Sequence, residues 1–281
     1  MKKITLVWNR SRATSWETDW IEYLFRNIPH FTMENPNHDQ YWDRCVIIDT
    51  IKWADYHDAY CAELVRRNLQ YAVIDLSDET RDSSTASYDS ANFVLRNYHR
   101  PNLADHVLHI PLGYNTGFAT VSDNPPADKR SHTWAFVGQR WDQTRQQMRE
   151  YMTTVPGGKI HVAVNELVRL SPVDMSRIYR DSIFVPAPHG WWIIDSFRVT
   201  EALEAGCIPI VETSDYWVKL YGEVPPFPQI NNWSQAPGMI NHLLANPAEL
   251  EALRLRCYSW WCETKDLVTS QVEYLVKETM M

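Results

Sequence analysis

The sequence predicts an α/β protein built from two Rossmann-like domains, each with a parallel sheet. Three observations carry that expectation. Short apolar runs alternate with amphipathic stretches from end to end, the βαβ rhythm of a parallel sheet with helices on its faces. The length, 281 residues, is enough for about two domains at roughly 100–200 residues each. A polar stretch with a Pro-Pro, Val121 to Arg130, interrupts the rhythm once, and the rhythm then restarts. The expected division is therefore 1–125 and 126–281, with a cleft where the two sheets face each other and the last helix packing back on the first domain.

In the first domain, Ile4 to Trp8 reads as a strand, and Trp16 to Arg26 as a helix with Trp16, Trp20, Tyr23 and Leu24 at helical spacing. Cys45 to Ile48 and Tyr71 to Leu76 read as buried strands, joined by a helix from about Asp55 to Arg67. His106 to Leu112 is a further strand, ending at Gly113. In the second domain Trp134 to Val137 and Lys159 to Val164 read as strands flanking a helix from Asp142 to Met152. Ser171-Pro172-Val173-Asp174 opens a helix, with a capping serine and proline at the first helical position. Ile183 to Val185 is a strand, Phe197 to Ala205 a helix stopped by Gly206, and Ile208 to Val211 the next strand. Asn246-Pro247-Ala248-Glu249 opens the helices that fill the remainder.

Composition narrows the function classes. Apolar residues make up 44% and charged residues 22%, an ordinary globular mix rather than a disordered one. No run approaches the ~20 apolar residues of a membrane span, and the N-terminal apolar run is too short for a signal-peptide core. A soluble, cytoplasmic protein is expected. The net charge of −8, from 27 basic and 35 acidic residues, argues against a general nucleic-acid binder. Five cysteines, an odd number without a Cys-x-x-Cys pair, suit free thiols in a reducing compartment. The 13 tryptophans are expected mostly in the core, with some left over as flat platforms for sugar rings.

The segment from Asp181 to Val211 carries most of the chemistry. It reads as strand, Pro/Gly loop, helix, Gly stop, strand. The loop delivers Ser196 and Arg198 to a helix N-terminus, where backbone N–H groups, the helix dipole, a hydroxyl and a guanidinium converge on phosphate oxygens. Glu201 lies one turn on, on the same face as Arg198, placed to accept hydrogen bonds from a ribose diol. On spacing alone, Arg198 and Glu201 read equally well as an ordinary surface pair on an amphipathic helix.

This segment resembles the signature of exostosin-like glycosyltransferases, family 47. Ser182, Phe184, Pro188 and Gly190 match its first part. Asp195, Ser196, Arg198, Glu201, Ala202, Leu203, Gly206, Cys207, Ile208 and Pro209 match its second. Weaker matches are Leu95 to Tyr98 with His109 to Tyr114, Trp134 to Gly138 with Arg140 and Arg145, and Leu76-Ser77-Asp78-Glu79. The last is similar to a block in ribitol-linked and viral xylosyltransferases, and the missing membrane anchor suggests a viral or bacterial member. Trp191-Trp192 departs from the small or polar residues expected in the gap.

The resemblance implies a GT-B fold, with the donor held by the C-terminal domain. It implies an inverting transfer from a UDP-sugar, xylose by the subset match, to a glycan hydroxyl. Arg198, Ser196 and the helix N-terminus would stabilise the leaving diphosphate, Arg140 would add a second positive charge, and His189 and Gly190 would contact the donor from the Pro/Gly loop. The base is expected at Asp78 or Glu79, directly after the strand Tyr71–Leu76, where catalytic groups gather at the carboxyl ends of parallel strands. The competing structural reading is that Ser77-Asp78-Glu79 caps the following turn. Arg96 and Tyr98, at another strand end, are candidates to contact acceptor or diphosphate. The chain holds no Asp-x-Asp motif, so protein charges are expected to take the place of a metal. The alternative is a non-catalytic carbohydrate-binding protein on the same scaffold. A Rossmann oxidoreductase is disfavoured, because Asn9-Arg10-Ser11-Arg12 stands after the first strand where a G-x-G-x-x-G would be needed.

Overall fold

The computed structural model describes residues 3–8, 16–34, 39–50, 54–76, 78–120, 123–139, 143–163 and 169–281. The chain forms two compact units, one of residues 1–112 with 265–281, the other of residues 113–264.

The first unit is built on β1 (Ile4–Trp8), β2 (His30–Glu34), β3 (Cys45–Thr50), β4 (Tyr71–Leu76), β5 (Val94–Arg96) and β6 (Val107–His109). They form one sheet in the order β2-β1-β3-β4-β5-β6, every pairing parallel. The inner strands β1 and β4 are buried at every position, as strands covered on both faces must be. Helix α1 (Thr18–Phe25) buries Trp20, Ile21, Leu24 and Phe25, and α2 (Ala54–Arg66) crosses from β3 to β4. Of these strands, β2 is not among those the sequence predicts, and β5 is anticipated only as the strand end at Arg96. β2, His30-Phe31-Thr32-Met33-Glu34, lies at the sheet edge with mostly exposed side chains, so it carries no apolar run. β5 is three residues long, below the length at which a pattern shows. The strand expected over His106 to Leu112 narrows to Val107–His109.

The second unit holds β7 (His132–Gln139), α3 (Gln143–Met152), β8 (Gly158–Ala163), α4 (Pro172–Arg180) and β9 (Ser182–Pro186). It continues with α5 (Phe197–Glu204), β10 (Ile208–Glu212), α6 (Tyr216–Tyr221), β11 (Gln229–Ile230) and α7 (Ala236–Ala245). Its sheet runs β11-β10-β9-β7-β8, again parallel throughout. α4 begins as its sequence requires: Ser171 Oγ accepts from the Asp174 amide, and Pro172 opens the first turn. Gly206 ends α5 with φ at +65°, and the Cys207 amide reaches back to Ala202 O at 2.8 Å, a Schellman-type stop.

The Pro125-Pro126 stretch lies inside the second unit, and side chains pin it there. Arg130 donates to Pro125 O at 2.9 Å and to Asn124 Oδ1 at 2.8 Å. Arg254 also reaches Asn124 Oδ1 at 2.8 Å, and the Ala127 amide donates to Glu251. Helix α8 (Pro247–Met280) begins in the second unit and ends in the first. There Arg26 hydrogen-bonds Thr269 at 2.7 Å, and Asn27 hydrogen-bonds Glu273 at 2.6 Å. The five cysteines form no disulfide. Among the described residues, no helix is long and apolar enough to cross a membrane.

Candidate functional site

In the second unit, β7 and β9 end beside the start of α5. Ser196 is its N-cap, with extended backbone and a nearly buried side chain. The Arg198 side chain runs back along β7. Its Nε donates to Val137 O at 3.1 Å and its Nη1 to Ser196 Oγ at 3.4 Å. The guanidinium lies 5.1 Å from the Phe136 ring centroid, a cation–π contact. Gly138 makes this path possible: a Cβ there would stand 2.7 Å from Arg198 Nη2. All of these partners are neutral. Among the described residues no carboxylate forms an ion pair with Arg198, so an oriented positive charge remains at the N-terminal end of a helix. That is the electrostatic form of an anion site.

Glu201 does not form the surface pair with Arg198 that spacing alone permits. It is 1% exposed, and its Oε1 accepts from Asn115 Nδ2 at 2.5 Å and from the Asn115 amide at 3.4 Å. Burial pushes its carboxyl above the usual range, with the Asn115 hydrogen bonds working against that. Thr200, also buried, donates through Oγ1 to Gly113 O. The segment 113–115 is thus laced to α5. Asn115 escaped the sequence reading because its partner is 86 residues away. Its one local signal is its place just after the Gly113 that ends a predicted strand.

The Pro/Gly loop is equally well held. His189 Nδ1 faces Gly190 O at 2.6 Å, and Nε2 faces Thr144 Oγ1 at 2.9 Å. Arg145, nearly buried, donates to Gln139 O at 3.2 Å and to His189 O at 3.3 Å. Gly190 N donates to Ile193 O at 2.8 Å. Asp195, the first motif residue before α5, accepts from Tyr216 OH at 3.0 Å. Ser196 and Arg198 are therefore brought together, Glu201 stands one turn away with Asn115, and His189 and Gly190 shape the neighbouring loop. Arg140 lies outside the described residues.

The first unit places Asp78 and Glu79 just past β4. Asp78 is completely buried. Its Oδ2 is ion-paired with Arg96 Nη2, and its Oδ1 accepts from the amides of Asp82 and Ser83 at 3.1 and 3.2 Å. Burial pushes its carboxyl up, but Arg96 and the Ser83 amide outweigh that and hold it below the usual range. Asp78 thus caps the turn and is engaged on both oxygens, while Glu79 beside it is half-buried. Arg96, expected at a ligand, is instead 0% exposed. It also holds Asp75 at 2.5 Å and Tyr88 OH at 3.0 Å. Tyr98 is buried with φ at +56°. Both are candidates to contact acceptor or diphosphate from a strand end, and here both side chains are buried.

One carboxyl at this end of the sheet was not singled out from the sequence. Glu17 caps α1 and is 1% exposed. Its Oε1 accepts from Asn97 Nδ2 at 3.0 Å. Burial pushes its pKa up to about 8, against the pull of Asn97.

No protein-family model and no curated protein matches the chain. Solved structures do match. Anabaena HepE, in a structure with UDP and glucose, aligns at a TM-score of 0.64 over 99% of this chain and 100% of its own, with 10% identity. The fold is GT-B. Sucrose-phosphate synthase from Thermosynechococcus elongatus aligns at 0.58 over 99% of both chains with 11% identity. An α1,3-fucosyltransferase aligns at 0.56 over 95% of this chain and 90% of its own, also with 11% identity. At such identities the likeness speaks for the fold, and the chemistry must be argued from the site.

Proposed function

We propose that the chain is a glycosyltransferase that moves a sugar from a UDP-sugar to a glycan hydroxyl. The observation that carries this reading is Arg198. It is oriented by Val137 O and Ser196 Oγ at a helix N-terminus and met by no carboxylate among the described residues. A diphosphate leaving from the sugar C1 gathers negative charge there, and a preset guanidinium with helix N–H groups stabilises charge that develops in the transition state. The buried Glu201–Asn115 pair, one turn away, gives the nucleoside a polar contact point. UDP is the nucleotide held in the HepE structure, and an α-glucosyltransferase that aligns at a TM-score of 0.58 with 9% identity is described with UDP-glucose.

The finer reading follows the motif. The exostosin-like pattern over 182–209 favours an inverting transfer with xylose as the sugar. The acceptor proton goes to Glu79, the acceptor oxygen bonds to C1, and the C1–diphosphate bond breaks with its electron pair leaving on UDP. The lack of an Asp-x-Asp motif and the presence of Arg198 favour a metal-independent reaction.

A thermal-shift titration with UDP, GDP, CMP and TDP, with and without chelator, tests the donor side. A ligand at about 100 times its Kd adds about 2.7 kcal/mol. We expect a shift with UDP alone, unchanged by chelator. Equal shifts with all four nucleotides, or none, would remove the UDP-sugar reading. Glu79→Gln should keep the UDP shift and lose transfer by about 100-fold or more. Wild-type turnover in that variant would remove Glu79 as base.

A further inference from the structure

Of the eleven described tryptophans, six are buried. Trp20, Trp134, Trp217 and Trp261 are at most 1% exposed, whereas Trp191 and Trp192 are 65% and 64% exposed. Their ring centroids are 5.5 Å apart, with planes tilted by 52°. They are not on a slack loop. Ile193, 7% exposed, anchors the turn, and its carbonyl accepts from Gly190 N at 2.8 Å. On one side His189 is tied to Thr144. On the other Asp195 is tied to Tyr216. Two large apolar surfaces are thus displayed to solvent on a hydrogen-bonded turn that leads into Ser196 and Arg198.

The chemistry of the display points to its occupant. An indole offers a flat apolar face with a polar edge, and a sugar ring offers a patch of C–H groups rimmed by hydroxyls. Their sequence neighbours Gly190, Ile193, Asp195 and Ser196 are buried, so along this turn the two indoles are the exposed apolar side chains. Trp192 stands six residues before Arg198 on the same unit, so a ring stacked there is held by the turn that delivers the anion site. We propose that Trp191 and Trp192 form the stacking platform for a sugar ring of the acceptor glycan. The proposal rests on the transferase reading above and adds to it the acceptor subsite.

The test uses the full chain with saturating UDP and titrates xylobiose, lactose and cellobiose, read by tryptophan emission. At least one disaccharide should shift the emission. For that sugar the apparent Kd should rise about tenfold or more in Trp191→Ala and Trp192→Ala, recover in the Phe variants, and leave UDP affinity unchanged. In transfer assays the loss should fall on KM for the acceptor rather than on kcat. No response to any of the three sugars, or variants that bind sugar within twofold of wild type, would overturn the platform. So would a dimer that the double alanine variant converts to monomer, since the pair would then be a contact between copies. Loss of UDP binding in the wild type would instead defeat the transferase reading, so the two failures are distinguishable.

Discussion

Two arginines at the ends of elements show what separates structure from chemistry in this fold. Arg96, the last residue of β5, is fully buried and surrounded by Asp75, Asp78 and Tyr88. Its charge is cancelled where it stands. Arg198, in the first turn of α5, is half-buried and held by a carbonyl and a hydroxyl. Its charge is aimed but not cancelled. The residue type is the same, and the partners decide the role. A buried charge with carboxylate partners organises a loop, while a positioned charge with neutral partners is available to a ligand.

Removing Arg96 should have the largest effect on the fold. Arg96→Met leaves Asp75 and Asp78 buried without their counter-charge, and breaking such a pair costs about 3–5 kcal/mol. Denaturant unfolding should report that loss, whereas Arg198→Met should cost about 1 kcal/mol or less. Equal destabilisation by the two variants would erase the contrast.

Gly138→Ala sharpens the other side of it. The new Cβ would meet Arg198 Nη2 at 2.7 Å and Phe136 Cζ at 3.0 Å. The guanidinium is the far end of a flexible chain, so the fold gives way cheaply while the aim of the charge is lost. UDP affinity should fall about tenfold with little change in melting temperature. Unchanged affinity would mean that the position of Arg198 is unimportant.

A further contrast concerns Glu17 and reads in pH. Above pH 4.5 the unfolded chain gives up this proton, while the buried carboxyl keeps it up to about pH 8. The native state therefore holds more protons across that window, and this group's contribution to stability falls as pH rises through it. Glu17→Gln should flatten that part of the stability–pH curve and gain on the wild type from about pH 5 upward. Parallel curves would show that Glu17 is more solvated than its burial implies.

Much of the fold was legible because inner strands of a parallel sheet are apolar on both faces. Tyr71–Leu76 and Ile208–Val211 announce themselves for that reason. β2, polar and at an edge, and β11, two residues long, offer no such pattern. The site was legible where it is local: Ser196, Arg198 and Glu201 lie within one helical turn and a half. It was illegible where it is not. Val137 O and Asn115 come from 61 and 86 residues away, and the need for glycine at 138 exists only once Arg198 lies across it. Asp78 and Arg96 show the converse error, in which groups that look reactive in one dimension neutralise each other in three.

The central claim is that Arg198 holds a nucleoside diphosphate. Isothermal titration of UDP into the wild-type chain and Arg198→Ala tests it most directly. We predict saturable binding to the wild type and a loss of about 100-fold or more in the variant, roughly 2.7 kcal/mol, with the melting temperature of the free protein preserved. UDP affinity that is the same in both proteins would contradict the account.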